Sequence, residues 1–263
     1  MVPTMGALHA GHLALVKAAR QCAGRIIVTI FVNPAQFGQG EDLERYPRAE
    51  ADDLEKLRPF APDIVFAPSA AEVYPTGFDT TIAVGGPSAG LESDTRPHFF
   101  AGVATIVTKL LLAGLPDFAT FGEKDYQQLL VVKKLVSDLN IPTTIIACPT
   151  VREPDGLALS SRNAYLSAEE RAAAPRLCEA LNGISARVGA GEAIDGTLAQ
   201  ARHDLERAGF AIDYLTVRNA LTLDAVRDPA SEPLRALAAA RLGTTRLIDN
   251  VAVARSQNAA STA

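Results

Sequence analysis

Through the first 150 residues, short apolar runs rich in β-branched side chains alternate with helix-length amphipathic stretches, and few architectures accommodate that order. The run Arg25 to Val32 (RIIVTIFV) lies between Gly24 and Asn33-Pro34 and reads as a strand covered on both faces. Ahead of it, Leu13, Val16 and Ala19 recur at helical spacing. Behind it, the pattern predicts a helix from Ala49 to Leu57 and a short strand from Asp63 to Phe66. A helix from Val103 to Leu112 then leads to a strand near Phe118 to Phe121, a helix from Tyr126 to Leu139 and an extended segment from Thr143 to Cys148. Strands joined through helices are connected by crossovers, so the sheet is expected to be parallel. In sheets of that kind, ligands bind beyond the carboxyl ends of the strands.

After about Thr150 the pattern changes. Arg152-Glu153-Pro154-Asp155-Gly156 carries turn chemistry, with proline presetting one dihedral and Asp-Gly supplying the next, and reads as a hinge into a second unit. That unit is expected to hold helices near Ala168 to Val188 and Ile194 to Arg207. Extended segments near Ile212 to Val217, Arg235 to Leu242 and Arg246 to Val253 would follow. The expected class is α/β: a Rossmann-like parallel sheet with helices on both faces over residues 1–150, followed by a smaller α+β C-terminal domain over 151–254. Residues 255–263 are small and polar and read as a disordered tail.

Composition limits the partners. The 263 residues are 48% hydrophobic and 21% charged, the profile of a globular protein able to bury a substantial core. A formal net charge of −5, with Lys and Arg dispersed, argues against a nucleic-acid binder, whose partner demands a basic face. Anionic ligands must then be held by a few local cations. Cys22, Cys148 and Cys178 are widely spaced and suggest neither a disulfide framework nor a zinc site. No apolar run is long enough to span a bilayer and no signal-like segment opens the chain, so a cytoplasmic protein is expected.

One stretch concentrates chemistry. In Val2-Pro3-Thr4-Met5-Gly6-Ala7-Leu8-His9-Ala10-Gly11-His12-Leu13, a strand end breaks at glycine and enters a helix whose first turn carries two histidines three residues apart. Unpaired backbone N–H groups and the positive end of the helix dipole point into the same volume, which suits a phosphate. Spacing alone leaves two other readings open, ordinary surface histidines or a metal pair.

His9-Ala10-Gly11-His12 resembles the H-x-G-H signature of the nucleotidyltransferase superfamily that includes class I aminoacyl-tRNA synthetases. Three further stretches narrow the resemblance: Phe31-Val32-Asn33-Pro34-Ala35-Gln36-Phe37, Gly122-Glu123-Lys124-Asp125-Tyr126-Gln127-Gln128, and Asp155-Gly156-Leu157-Ala158-Leu159-Ser160-Ser161-Arg162-Asn163. In this order and spacing the chain resembles the pantoate–β-alanine ligase family from Val2 to about Val253. The resemblance implies two half-reactions in one site. ATP and pantoate give pantoyl adenylate and pyrophosphate, and β-alanine then displaces AMP to give pantothenate.

The resemblance also implies roles, position by position. His9, His12, Lys124 and Arg162 would be catalytic, with His12 at the position of a proton donor. Met5, Gly6, Ala7, Leu8, Ala10 and Gly11 would line the nucleotide, Gly6 letting the backbone approach, together with Gly122, Glu123, Asp125 and Val151. Leu159, Ser160, Ser161 and Arg162 would form a mobile loop closing over the phosphates. Gln36 and Gln128 match pantoate-binding glutamines, Gln36 also lying where β-alanine arrives, and Arg96 would serve pantoate or a phosphate. Asn33 either caps a helix or touches ligand. Tyr46 and Arg48, within Arg45-Tyr46-Pro47-Arg48, look like the family's lid. Asp52 and Asp53 match acidic positions that could help hold Mg²⁺, though a charged first helical turn explains them equally well. Magnesium is expected chiefly as the partner of ATP, and the resemblance implies a homodimer.

The chain departs from the family pattern twice. The segment Arg96-Pro97-His98-Phe99-Phe100-Ala101-Gly102-Val103 has Phe99 where relatives carry histidine, with His98 one residue early. Relatives also carry a helix and half a strand ahead of Val2, so the leading strand is expected to be short. These departures keep two alternatives in view: another nucleotidyltransferase of the superfamily, and a weakened remnant that binds ATP.

Overall fold

The computed structural model describes residues 1–38, 43–44 and 46–254, so Arg45 and the 255–263 tail lie outside the described residues. The chain divides into two compact units, Met1–Val151 and Arg152–Ala263.

In the first unit, β1 (Val2–Thr4), β2 (Ile27–Ile30) and β3 (Ile64–Phe66) pair in parallel with β1 and β3 flanking β2. β4 (Phe118–Gly122) pairs in parallel with β5 (Thr144–Cys148). Met1 joins the two sets: its nitrogen donates to the Phe118 carbonyl at 2.7 Å, and its carbonyl accepts from the Thr120 N–H at 3.1 Å. The resulting sequence of neighbours, β3, β2, β1, β4, β5, is the order of a doubly wound mononucleotide-binding sheet.

Alternation along the strands shows why both faces are covered. Val2, Val28, Ile30, Ile146 and Cys148 pack into one apolar cluster with α1 (Ala10–Cys22) and Leu57 of α2 (Glu50–Leu57). Ile27, Phe31, Ala119, Phe121, Ile145 and Ala147 belong to another, beside three later helices. Those are the one-turn α3 (Ala70–Val73), α5 (Phe99–Gly114) and α6 (Tyr126–Asp138). Successive residues therefore feed opposite layers, as period-two side chains must. A short helix, α4 (Glu92–Thr95), precedes α5. The periodicity placed the start of α5 at Val103, but it begins at Phe99, because Phe99 and Phe100 extend the apolar face through its first turn.

The second unit is an antiparallel meander of β6 (Phe210–Asn219), β7 (Leu234–Leu242) and β8 (Thr245–Ala252). Helices α8 (Arg176–Gly189) and α9 (Ile194–Arg207) contribute Leu177, Leu181, Ile184, Val188 and Leu205 to its core. The helical stretch expected from Ala168 to Val188 breaks after α7 (Ala168–Ala173), since Pro175 has no N–H to give and becomes the cap of α8. The turn read as a hinge is firmly anchored within this unit. Arg152 pairs with Asp249 of β8 through two hydrogen bonds of 2.7 and 2.9 Å and donates to the Gly156 carbonyl at 3.0 Å.

Candidate functional site

The loop between β1 and α1 is shaped by two successive left-handed residues, Gly6 at φ +79° and Ala7 at φ +50°. That backbone suits glycine and strains alanine, by roughly 1–2 kcal/mol. It turns the next N–H groups inward onto one acceptor: Asp53 takes the Ala7 N–H at 2.8 Å and the Leu8 N–H at 2.7 Å. A Cβ on Gly6 would lie 3.0 Å from an Asp53 carboxylate oxygen and 3.2 Å from Ile30. The missing side chain of Gly6 makes room for Asp53. The amides of Ala7 and Leu8 already hold an anion, and it comes from α2.

The same geometry gives Asp53 an occupation other than metal binding. Its side chain is 1% exposed, with both oxygens on backbone amides, and Lys56 lies 3.9 Å away. Asp52 is exposed in the first turn of α2. Among the described residues, no group of three His, Cys, Asp or Glu side chains is arranged to hold a metal ion.

At the entrance to α1 the two histidines replace the usual Ser and Glu of a capping box. His9 Nδ1 accepts from the Gly11 N–H at 3.1 Å, and His12 Nδ1 accepts from the His9 N–H at 3.3 Å. Because each Nδ1 is an acceptor, the ring proton of each neutral imidazole resides on Nε2. The rings are 4.1 Å apart. Burial, then the Lys124 ammonium, push His9 down to about 4, with an opposing pull from Asp125 and a lesser push from Lys56. Burial, then His9, Lys124 and Lys56, push His12 down to about 3.

Both rings are consequently neutral at pH 7, each offering an Nε2–H. At pH 7 the His12 Nε2–H is available as a hydrogen-bond donor. Lys56 escaped the sequence reading. Its only signal was its place three residues after Asp53. Unfolded imidazoles take a proton near pH 6.5 and these folded ones do not. The contribution of the pair is present above pH 6.5 and declines as pH falls from there toward 4 and 3. We expect the His9 and His12 ring resonances to stay flat between pH 8 and 5 in NMR titrations; a midpoint near 6.5 in either would overturn the assignment.

A second group gathers behind β2. Asn33 caps the 3₁₀ turn Pro34–Gln36, its Oδ1 accepting from the Ala35 N–H at 3.3 Å and from the Tyr74 hydroxyl at 2.7 Å. Its Nδ2 donates to Gln36 Oε1 at 3.0 Å and to the Gly102 carbonyl at 3.1 Å. Of the two readings left open for Asn33, the cap is the one observed. Gln36 Nε2 points to Met5 Sδ at 2.9 Å. Arg96 donates to the Gln36 carbonyl at 2.9 Å and lays its guanidinium 3.9 Å from the centroid of the Phe99 ring. Phe99 thus serves as a platform for Arg96 and packs edge-on to Phe100, while His98 is exposed at the start of α5.

Gln128 is partly buried, while its neighbour Gln127 has a structural task that the sequence did not reveal. Gln127 Nε2 donates to the carbonyls of Pro87 and Gly90 at 3.0 and 3.1 Å, and Oε1 accepts from the Glu92 N–H at 3.2 Å. Gly122 ends β4, and Glu123, Lys124 and Asp125 form a 3₁₀ turn beyond it, with Lys124 Nζ 3.8 Å from Asp125. Tyr46 is buried edge-on to Phe37, and Arg48 donates to the Leu43 carbonyl.

In the second unit, Ser160 Oγ accepts from the Arg162 N–H at 3.3 Å and opens the 3₁₀ turn Ser161–Tyr165. Leu159 precedes it, and Asn163 Nδ2 donates to the Ala158 carbonyl. The first unit therefore brings His9, His12 and Lys124 into electrostatic contact and joins Met5, Asn33, Gln36 and Arg96 through one set of bonds. Val151 closes that unit, and Ser160, Ser161 and Arg162 belong to the other.

The sequence model of the family described as Pantoate-beta-alanine ligase matches residues 1–252. A pantothenate synthetase of Rhodospirillum rubrum is 53% identical over 254 residues, which is 96% of this chain and 90% of the relative. One from Mesorhizobium japonicum is 54% identical over 96% of this chain and 89% of its own length. Among solved structures, pantothenate synthetase from Thermus thermophilus superposes with a TM-score of 0.92 at 47% identity, covering 96% of this chain and 92% of that one. A pantoate–β-alanine ligase from Francisella tularensis, complexed with beta-gamma ATP and β-alanine, matches with a TM-score of 0.81 at 35% identity, covering 95% and 88%.

Proposed function

Because this chain belongs to the pantoate–β-alanine ligase family, we propose that it condenses pantoate with β-alanine at the expense of ATP, through a pantoyl adenylate. The pantoate carboxylate attacks the α-phosphorus and pyrophosphate leaves. The β-alanine amine then attacks the acyl carbon and AMP leaves. The observation that carries the reading is the imidazole capping box: two neutral Nε2–H donors at a helix N-terminus, beside the ammoniums of Lys56 and Lys124. Bringing two anions together needs donors that strengthen as charge moves onto the departing phosphate.

His12 and His9 would donate to the phosphate oxygens, and Lys124 would offset their charge. Ser160, Ser161 and Arg162 of the second unit would add further donors to phosphate. Gln36, Gln128 and Arg96 would hold the acid, and Met5, Gly122 to Asp125 and Val151 would line the nucleotide. Magnesium would arrive with ATP, held by phosphate and water. The fit of the chain itself to a metal is poor, since Asp53 has both oxygens on amides. Homodimer formation and cytoplasmic residence complete the proposal, resting on the family. No helix among the described residues is long and apolar enough to cross a membrane.

The test is pyrophosphate and AMP release assayed with each substrate omitted in turn. Pyrophosphate release requiring pantoate, and AMP release requiring β-alanine, is the expected result. Pyrophosphate release with no AMP release on adding β-alanine would favour another nucleotidyltransferase, whose product keeps the adenylyl group. ATP binding without pyrophosphate release would favour an inactive remnant.

A further inference from the structure

The bonds around Asn33 determine which end of Gln36 faces the ligand. Asn33 is 1% exposed and touches two backbone groups of opposite sense, the Gly102 carbonyl, which only accepts, and the Ala35 N–H, which only donates. That pair fixes the amide: Nδ2 lies toward Gly102 and Oδ1 toward Ala35. The second Nδ2 proton then goes to Gln36, whose nearer atom must be Oε1. Nε2 is left outward, and among the described residues its partner is the thioether of Met5, a weak acceptor. A 7%-exposed amide with its donor end on sulfur is poised to take an incoming oxygen.

The remaining valence of Asn33 is filled by Tyr74, and its 2.7 Å bond is the shortest of the four. Tyr74 is itself held between Phe31 and Phe78, with ring centroids 6.2 and 5.3 Å away, and Lys109 lies 5.9 Å over its ring. Burial pushes its phenol up to about 12, so it stays protonated and can only donate to Oδ1, which has no hydrogen to return.

We propose that Tyr74 is a positioning residue for substrate selection: acting through Asn33, it holds the donor end of Gln36 outward, so that Gln36 binds only an electron-rich oxygen of the acid substrate, a carboxylate or hydroxyl. The inference rests on the reading of Gln36 as a substrate contact. Arg96, bonded to the Gln36 carbonyl, places a cation beside the same turn, as an anionic substrate requires.

Two variants and one spectroscopic measurement test it on the full-length chain. Tyr74→Phe removes the hydroxyl and little volume. It is expected to raise the KM for pantoate or β-alanine about three- to tenfold, the range of one lost hydrogen bond, with the KM for ATP unchanged. In a Gln36→Ala background it should have no further effect. The same factor persisting there, or an equal rise in the KM for ATP, would mean that Tyr74 acts through general packing and overturn the proposal.

The side-chain amide of Gln36, followed by NMR, supplies a readout independent of turnover. Its hydrogen exchange should accelerate in Tyr74→Phe. Unchanged exchange would sink the relay whatever the kinetics. If Gln36→Ala alone leaves both KM values unchanged, the substrate role of Gln36 falls and the selectivity claim with it, while the exchange data still decide whether the relay exists.

Discussion

Replacing His12 by alanine is expected to leave the fold intact and to slow pyrophosphate release by about a hundredfold or more, the cost of one preorganised donor to a developing oxyanion. The two halves of that expectation come from different bonds. Structurally, the variant loses the acceptor for the His9 N–H, one half of a capping box, worth about 1 kcal/mol. His9 keeps its own bond to the Gly11 N–H, and a domain with several kcal/mol in reserve tolerates the loss. Chemically, the variant loses a neutral Nε2–H that burial, then His9, Lys124 and Lys56, keep from becoming an imidazolium. Circular dichroism unchanged, with adenylation a hundredfold slower, is the predicted pair of results. Near-normal turnover by the purified variant would remove His12 from the mechanism.

The second large effect is on stability and lies in the other unit. Arg152→Ala strips the guanidinium from Asp249, whose side chain is 3% exposed, and also frees the Gly156 carbonyl. Breaking a pair this buried costs about 3 kcal/mol, because the partner stays behind as an uncompensated charge. Asp249 retains one bond, from the Asn250 N–H, so the penalty falls toward the lower end of what such pairs show. Denaturant unfolding should place the second unit's transition well below that of the parent. The double variant Arg152→Met, Asp249→Leu should recover much of the loss, since an apolar pair leaves no orphaned charge. Equal midpoints for parent and single variant would show that the turn does not need the pair.

The layered first unit was legible in the sequence for a definite reason. Ile27 and Val28 feed opposite faces, and both must be apolar when helices cover each side, so the run RIIVTIFV announces its surroundings. Long-range polar contacts leave no such trace. Asp53 grips the amides of residues 7 and 8 from more than forty positions away, and nothing local distinguishes it from Asp52 beside it. Gln127 and Gln128 are adjacent glutamines whose tasks diverge because a helix aims neighbours about 100° apart. The family resemblance singled out Gln128. Geometry alone exposes Gln127 as the brace of the 87–92 segment. The exchange of histidine for Phe99 likewise looked like a loss in the alignment, yet its ring carries Arg96.

The internal carboxylate at the mouth of α1 has a consequence for anion binding. With Asp53 already on the main-chain N–H groups of Ala7 and Leu8, an anion approaching the mouth of α1 would meet side groups instead, the two imidazoles and the flanking ammoniums. Exchanges among those side groups would alter the grip on an anion, at a cost such as His12→Ala is expected to carry, without the arch being remodelled.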